Sequence, residues 1–306
     1  DPTYMIGGEI VNVGTNAKAG KGRYVVAEAD ESDGSFLQYE SAIAVVTNIE
    51  PDHLENYDGD FGKLKAAYVS FLRNVRPDGC AVVCADDENV RELLPQIPDK
   101  RIVTYGAESE DAEYRATDIE LGDRCVSFTV NRGKDALGKI ELSVPGRHNV
   151  YNALATVIVC LEAGASFAAI AEAIREFRGA KRRFQVLGEV RDMLVIDDYA
   201  HHPTEIQATI QAAKATGKRI VAVFQPQRYT RTYFLLDAFR RAFADADEVM
   251  ITDIYSPAGE QRIEGVNSRR LVELIAQNSN PNVSYVPTKE EVRDLLAERL
   301  APGDLV

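Results

Sequence analysis

Met193-Leu194-Val195-Ile196-Asp197-Asp198-Tyr199-Ala200-His201-His202-Pro203-Thr204-Glu205 is the stretch on which the fold turns. Its first four residues form an apolar run that reads as a buried strand. Ile206, Ile210 and Ala213 then recur at the spacing of one helix face. Pro203 suits a first helical position, and Glu205 suits the positive end of a helix dipole. Two carboxylates, a phenol and two of the chain's four histidines therefore crowd one strand-to-helix turn. In open α/β sheets such turns lie at the carboxyl edge, where ligands bind.

The same alternation runs outward on both sides. Strands are expected at Gln185–Val190, Arg219–Phe224, Glu248–Thr252 and Val283–Val286, with helices near 203–215, 232–244, 268–277 and 289–300. Upstream, strands are expected at Arg23–Ala29, Ala42–Thr47, Cys80–Cys84 and Arg101–Tyr105, with helices at Phe61–Asn74 and Asp86–Leu94. Alternation of this kind argues for parallel sheets flanked by helices. Between Tyr114 and Val144 the rhythm becomes that of short antiparallel strands, read as a small β insertion. Pro145-Gly146 opens a long helix that ends at Gly164, and a second helix follows over Phe167–Phe177. The short basic stretch Gly179–Arg183 marks a domain boundary, dividing residues 1–181 from 182–306.

Composition narrows the class. The chain has 306 residues, room for about two domains at roughly 150 residues each. Its net charge of −13 and lack of a basic stripe argue against nucleic-acid binding. It holds no apolar run of about 18 residues, so no membrane span is expected, and its start lacks a secretory pattern. Cys80, Cys84, Cys125 and Cys160 form no C-x-x-C pair and read as reduced thiols of a cytoplasmic protein. The start at Asp1 and the end at Pro302–Val306, a turn entering a strand, suggest a trimmed chain.

Further candidate sites follow predicted strands. Glu28 ends one strand and His53 follows the next; if those strands are neighbours, the two side chains face one crevice and suit Mg²⁺ or Mn²⁺. His148, Asn149 and Asn152 share a face at the start of the long helix. Asn amides there match the donor–acceptor edge of adenine, and a helix-capping role for Asn149 is the alternative. Arg228 and Arg231, three residues apart, suit a carboxylate or phosphate, or are a basic surface turn. Asp198 with His201 suits acid–base chemistry or ligand binding, and His201-His202 lacks the third imidazole of a zinc centre. No G-x-x-x-x-G-K-[ST] phosphate loop and no G-x-S-x-G elbow occurs.

As an ordered set these motifs resemble the Mur ligases, in particular the branch that adds L-alanine to UDP-N-acetylmuramate. The matching stretches are Asp1–Gly8, Glu28–Asp33, Asn48–His53, Pro145–Asn152, Arg182–Phe184, Asp197–Glu205, Phe224–Thr232 and Pro257–Glu260. The resemblance implies an incomplete central P-loop-type ATPase domain over 1–181, followed by an incomplete Rossmann-like α/β domain over 182–306. It also implies a UDP-binding domain and the phosphate loop upstream of Asp1. The implied reaction is ATP-dependent: the muramate carboxylate takes the γ-phosphoryl group, and L-alanine attacks the acyl phosphate. Carried over by motif, Glu28 and His53 hold Mg²⁺, while His148, Asn149, Asn152 and Arg183 contact ATP. Asp198, His201, Arg228 and Arg231 serve catalysis, and Tyr199 and Gln227 the substrates.

Family members usually carry His where Gln227 stands, and Tyr68 occupies the place of a carbamylated lysine found in related ligases. The murein peptide ligase, which adds a tripeptide to the same nucleotide sugar, is the nearest alternative. A catalytically inactive nucleotide-binding fragment is the other.

Overall fold

The computed structural model describes every residue of the chain except Gly259, which belongs to the Pro257–Glu260 stretch and so leaves that motif partly outside the described residues. The chain divides into two compact units, Asp1–Lys181 and Arg182–Val306.

The first unit opens with β1 (Thr3–Ile10), β2 (Thr15–Lys18) and β3 (Val25–Ala27), a small sheet ordered β2-β1-β3. The sequence pattern indicates only the last of these, and the observed strand is shorter than the expected Arg23–Ala29. There follow β4 (Ile43–Val46), α1 (Phe61–Arg73), β5 (Cys80–Cys84), α2 (Glu88–Leu93) and β6 (Ile102–Gly106). Next come β7 (Tyr114–Leu121), β8 (Val126–Arg132), β9 (Asp135–Leu142), α3 (Arg147–Glu162) and α4 (Phe167–Glu176). Strands β4 to β9 form one six-stranded sheet in chain order. β4, β5, β6 and β7 pair in parallel, and β8 and β9 run antiparallel. The expected β insertion is therefore an extension of the main sheet, because β7 pairs directly with β6.

Strand β5 explains this layering. All five of its residues are buried. Cys80, Val82 and Cys84 join the core beneath α3 and α4, with Leu154, Val157, Ile158, Ile170 and Ile174. Ala81 and Val83 join the opposite core, with Val69, Leu72, Val90 and Leu93 from α1 and α2. A strand covered on both faces carries continuous apolar residues, as parallel sheets require. α1 and α2 start where Asp60 and Asp87 accept the N–H of Gly62 and Val90.

The second unit contains β10 (Gln185–Val190), β11 (Met193–Asp197), α5 (Pro203–Lys214), β12 (Arg219–Phe224), α6 (Tyr229–Phe234) and α7 (Leu236–Phe239). It continues with β13 (Glu248–Ile251), α8 (Ser268–Asn278), β14 (Val283–Tyr285), α9 (Lys289–Arg299) and β15 (Asp304–Leu305). The sheet order is β10-β11-β15-β12-β13-β14, parallel except for the edge strand β10. Again the faces alternate: Ile220 and Phe224 of β12 enter one core and Val221 the other. The helix expected over 232–244 is instead α6 followed by α7, interrupted at Leu235, whose φ of −105° and ψ of 13° leave the helical range. The α/β class expected from the sequence is the one observed. Among the described residues no helix is long and apolar enough to cross a membrane.

Burial ranks positions by their cost. Leu154→Ala, at a fully buried position, should lower unfolding free energy by about 2–5 kcal/mol. Val26→Ala, at a half-exposed position, should change it by less than about 0.5 kcal/mol. Urea denaturation curves measure both.

Candidate functional site

In the second unit the charged turn after β11 is a network held on backbone N–H groups. Asp198 Oδ2 accepts from Phe184 N at 2.7 Å, and its Oδ1 accepts from Ala200 N at 2.7 Å. Tyr199 N donates to Arg182 O at 2.6 Å. The Arg182 guanidinium stacks over the exposed Tyr199 ring at 4.3 Å, with Arg183 at 5.8 Å. Arg183 also pairs with Glu205 at 3.1 Å. His201 packs edge-on against Tyr199, and its Nδ1 lies 2.8 Å from Tyr199 O.

The two adjacent histidines divide their roles. His202 is buried and caps α5, its Nδ1 accepting from Thr204 N at 3.3 Å. Glu205 closes the box from the other side: its Oε2 accepts from the backbone N–H of His201 and His202. Burial pushes the Glu205 carboxyl up, but the neighbouring His201, the backbone N–H groups and Arg183 outweigh it and hold it below its ordinary value.

Strand β12 emerges at the same sheet edge, with β15 between it and β11. Two strand spacings, about 10 Å, therefore separate the turns that follow β11 and β12. Gln227 bridges to Tyr255, and Arg228 N donates to Tyr255 O at 2.8 Å. Arg228 has φ 68° and ψ 137°, a conformation that few residues other than glycine adopt. The Gln227 amide oxygen accepts from the buried Arg231 guanidinium, so the residue standing where the family usually has His orients a cation here. Glu260 supports this turn, accepting from Thr230 N at 3.1 Å and from the Thr230 hydroxyl at 3.0 Å. The Ser256 hydroxyl donates to its other oxygen at 2.8 Å.

In the first unit α3 begins after Gly146, whose φ is 99°. Asn149 is not a cap of the helix N–H groups; its Nδ2 donates to Pro145 O at 2.7 Å, tying down the preceding turn. Asn152 Nδ2 donates to Asn149 Oδ1 at 3.2 Å, so the two amides form one polar unit, with His148 exposed beside them.

Glu28 and His53 are positioned differently from the expectation. Glu28 follows β3 in the small sheet, and His53 lies beyond β4 in the large one, so strand pairing does not make them neighbours. Glu28 Oε2 accepts from Gly7 N at 2.6 Å, and a Cβ on Gly7 would sit 3.0 Å from the carboxylate. His53 has φ 53° and lies 3.6 Å from Asp52 and 3.9 Å from Glu55. Glu31 lies in the same acidic surroundings, and its burial pushes its carboxyl up. Among the described residues no three His, Cys, Asp or Glu side chains form a metal-binding group. Tyr68 packs edge-on against Phe36, and burial raises its phenol well above the usual range.

Sequence motifs alone give no role to two supporting carboxylates, Asp86 and Glu260. Asp86 nevertheless carries the same signal as Asp198, an acidic residue just past an apolar strand.

Parallel sheets with polar loops at their carboxyl edges define a ligand-binding α/β protein. Residues 12–160 match the Mur ligase middle domain, and residues 182–306 match the Mur ligase glutamate ligase domain. The chain belongs to the Mur ligase family. It is 48% identical, over its whole length, to the UDP-N-acetylmuramate–L-alanine ligase of Pelotomaculum thermopropionicum, of which it spans 66%. It is similar in structure to the UDP-N-acetylmuramate–alanine ligase MurC of Thermotoga maritima, with a TM-score of 0.78 and 28% identity, covering 99% of this chain and 64% of that one. It shares its fold with the MurF ligase of the same organism in complex with ADP, with a TM-score of 0.74 and 17% identity, covering 99% of this chain and 69% of that one.

The capping box yields a pH test. Because the folded-state carboxyl of Glu205 titrates below the unfolded one, its stabilisation is complete above the ordinary carboxylate range and is lost as pH falls through the folded value. Glu205→Ala should cost about 1 kcal/mol at neutral pH. The gap between wild type and variant should shrink as denaturation is repeated at falling acidic pH.

Proposed function

We infer that this chain serves, in the full-length gene product, the ATP-dependent joining of L-alanine to the carboxylate of UDP-N-acetylmuramate. The observation that carries this reading is the 48% identity to an alanine ligase over the whole length of the chain, both units included. The setting is the cytoplasm, where ATP and the nucleotide sugar are available.

In this reading His148, Asn149 and Asn152 hold the adenine nucleotide, the bonded amide pair presenting a fixed donor–acceptor edge. Arg183 is carried over by motif as a nucleotide contact. Glu28 and His53, though carried by different sheets, are the residues that would hold Mg²⁺, which would offset charge on the phosphate oxygens. The muramate carboxylate oxygen bonds to the γ-phosphorus as the bond to ADP breaks. The amine of L-alanine then bonds to the acyl carbon, inorganic phosphate leaves, and the amine gives up a proton. Arg228 and Arg231 stabilise the acyl phosphate, with Arg231 aimed by Gln227. Tyr199 and His201 line the amino-acid region, and Asp198 fixes the turn that carries them.

The test is turnover by the full-length gene product with ATP, Mg²⁺ and UDP-N-acetylmuramate, given either L-alanine or a tripeptide. Alanine-dependent ADP release is expected; robust turnover with the tripeptide alone would instead assign the murein peptide ligase activity. Arg228→Ala should lower kcat/KM by about 100-fold, the usual cost of removing a group that stabilises developing negative charge. Chelation of divalent metal should stop the reaction, and added Mg²⁺ should restore it, as followed by coupled ADP assay.

A further inference from the structure

Asp86 has no role in the reaction outlined above, yet at the carboxyl edge of the first unit's sheet it accepts hydrogen bonds from three backbone N–H groups and a tyrosine hydroxyl. It stands two residues past β5, beside the end of the parallel strand β6. Its Oδ2 accepts from Ala107 N at 2.7 Å and Glu108 N at 2.9 Å, and its Oδ1 accepts from Ser109 N at 2.8 Å. The Tyr151 hydroxyl, from the first half of α3, donates to Oδ2 at 3.0 Å. Burial works against the charge, but the Ser109 hydroxyl and the three N–H groups hold the carboxyl down to about 2, so it is ionised at every physiological pH. Gly106 makes room for it: a Cβ there would lie 2.4 Å from Oδ1.

The position of Tyr151 gives this network its consequence. Tyr151 lies between Asn149 and Asn152, and an α-helix turns about 100° per residue. A fixed tyrosine hydroxyl therefore fixes the rotation of the first turns of α3, and with it the directions in which His148, Asn149 and Asn152 point. The apolar face of α3, through Val150, Leu154, Val157 and Ile158, already holds the helix on the sheet. Apolar packing is non-directional, so it sets depth and leaves the fine rotation to a directional bond. The exposed Arg147–Glu108 pair at 3.2 Å joins the same turn to the same helix but contributes little by itself.

We propose that Asp86 is a positioning residue for the adenine nucleotide, acting through Tyr151 and the Ala107–Ser109 turn to set the orientation of the His148–Asn152 segment. The proposal rests on the reading that this segment holds the nucleotide.

Isothermal titration of the full-length gene product with ADP tests it, alongside steady-state kinetics and thermal melting. Tyr151→Phe removes only the hydroxyl. It should weaken ADP binding and raise KM for ATP by about three- to tenfold, the span of an energetic coupling acting through an intermediate residue. KM for L-alanine should be unchanged and kcat should fall by less than KM rises. Asp86→Asn should weaken ADP binding at least as much, and the double variant should be no worse than Asp86→Asn alone, because the two residues act through one bond. A lowered melting temperature with wild-type ADP affinity in Tyr151→Phe would overturn the inference and leave Asp86 a purely structural anchor. A wild-type protein that binds no ADP would overturn the nucleotide-site reading as well.

Discussion

Complete burial of the central parallel strands governs where chemistry can occur in this molecule. β5 has no face exposed to water: its cysteines and Val82 are covered on one side, Ala81 and Val83 on the other. β12 and β13 of the second unit divide their side chains between two cores in the same way. Polar groups cannot be accommodated along such strands without unpaired partners. They appear instead where the strands stop, and the carboxyl ends feed the loops that carry His53, Asp86, Asp198 and Arg228.

Carboxylates then build those loops. Asp198 joins the 182–184 segment to the Tyr199–Ala200 turn, Glu205 closes the start of α5, Glu260 supports Thr230, and Asp86 joins two strand ends to α3. Each accepts hydrogen bonds from backbone N–H groups that irregular loops would otherwise leave unsatisfied. The anchoring also offsets backbone strain. Arg182, Phe184, Arg228 and His53 have positive φ without being glycine. Such conformations cost of order 1–3 kcal/mol each and persist where surrounding bonds over-determine them. Phe184 N is bound by Asp198, and His53 N by its neighbour Asp52 at 2.9 Å.

The layer architecture was legible in the sequence because burial imposes periodicity. The Met193–Ile196 run, Pro203 at the helix start and Glu205 two residues later predict β11 and α5 nearly to the residue. What periodicity misses are elements that bury little. β1 and β2 are at most partly buried, so they lack the alternation that marks a strand. The break at Leu235 was hidden because the apolar residues of 232–244 continue across it into one core, with Leu235, Phe239 and Phe243 packed together. The site residues were legible as types and spacings, including Asn149 with Asn152. Their bonds were not: that Asn149 ties a turn, that His202 caps a helix and that Gln227 aims Arg231 depend on side-chain directions that spacing does not carry, and at Arg228 on a positive φ that no glycine announces.

The state of the carboxylates limits what they can do. General acid–base catalysis favours groups that titrate near the working pH. Despite burial that works the other way, Asp86 and Glu260 are held below the ordinary carboxylate range by N–H and hydroxyl donors, and Glu205 by the charges of His201 and Arg183 and by N–H donors. They remain anions, and their oxygens are occupied by the backbone they organise. A scaffold of fixed anions suits the holding of ligands in one set orientation, which can supply much of a reaction rate. The guanidiniums of Arg228 and Arg231 complete that logic. They are placed by strained backbone and by an amide, so these two cations need little rearrangement to meet an anion.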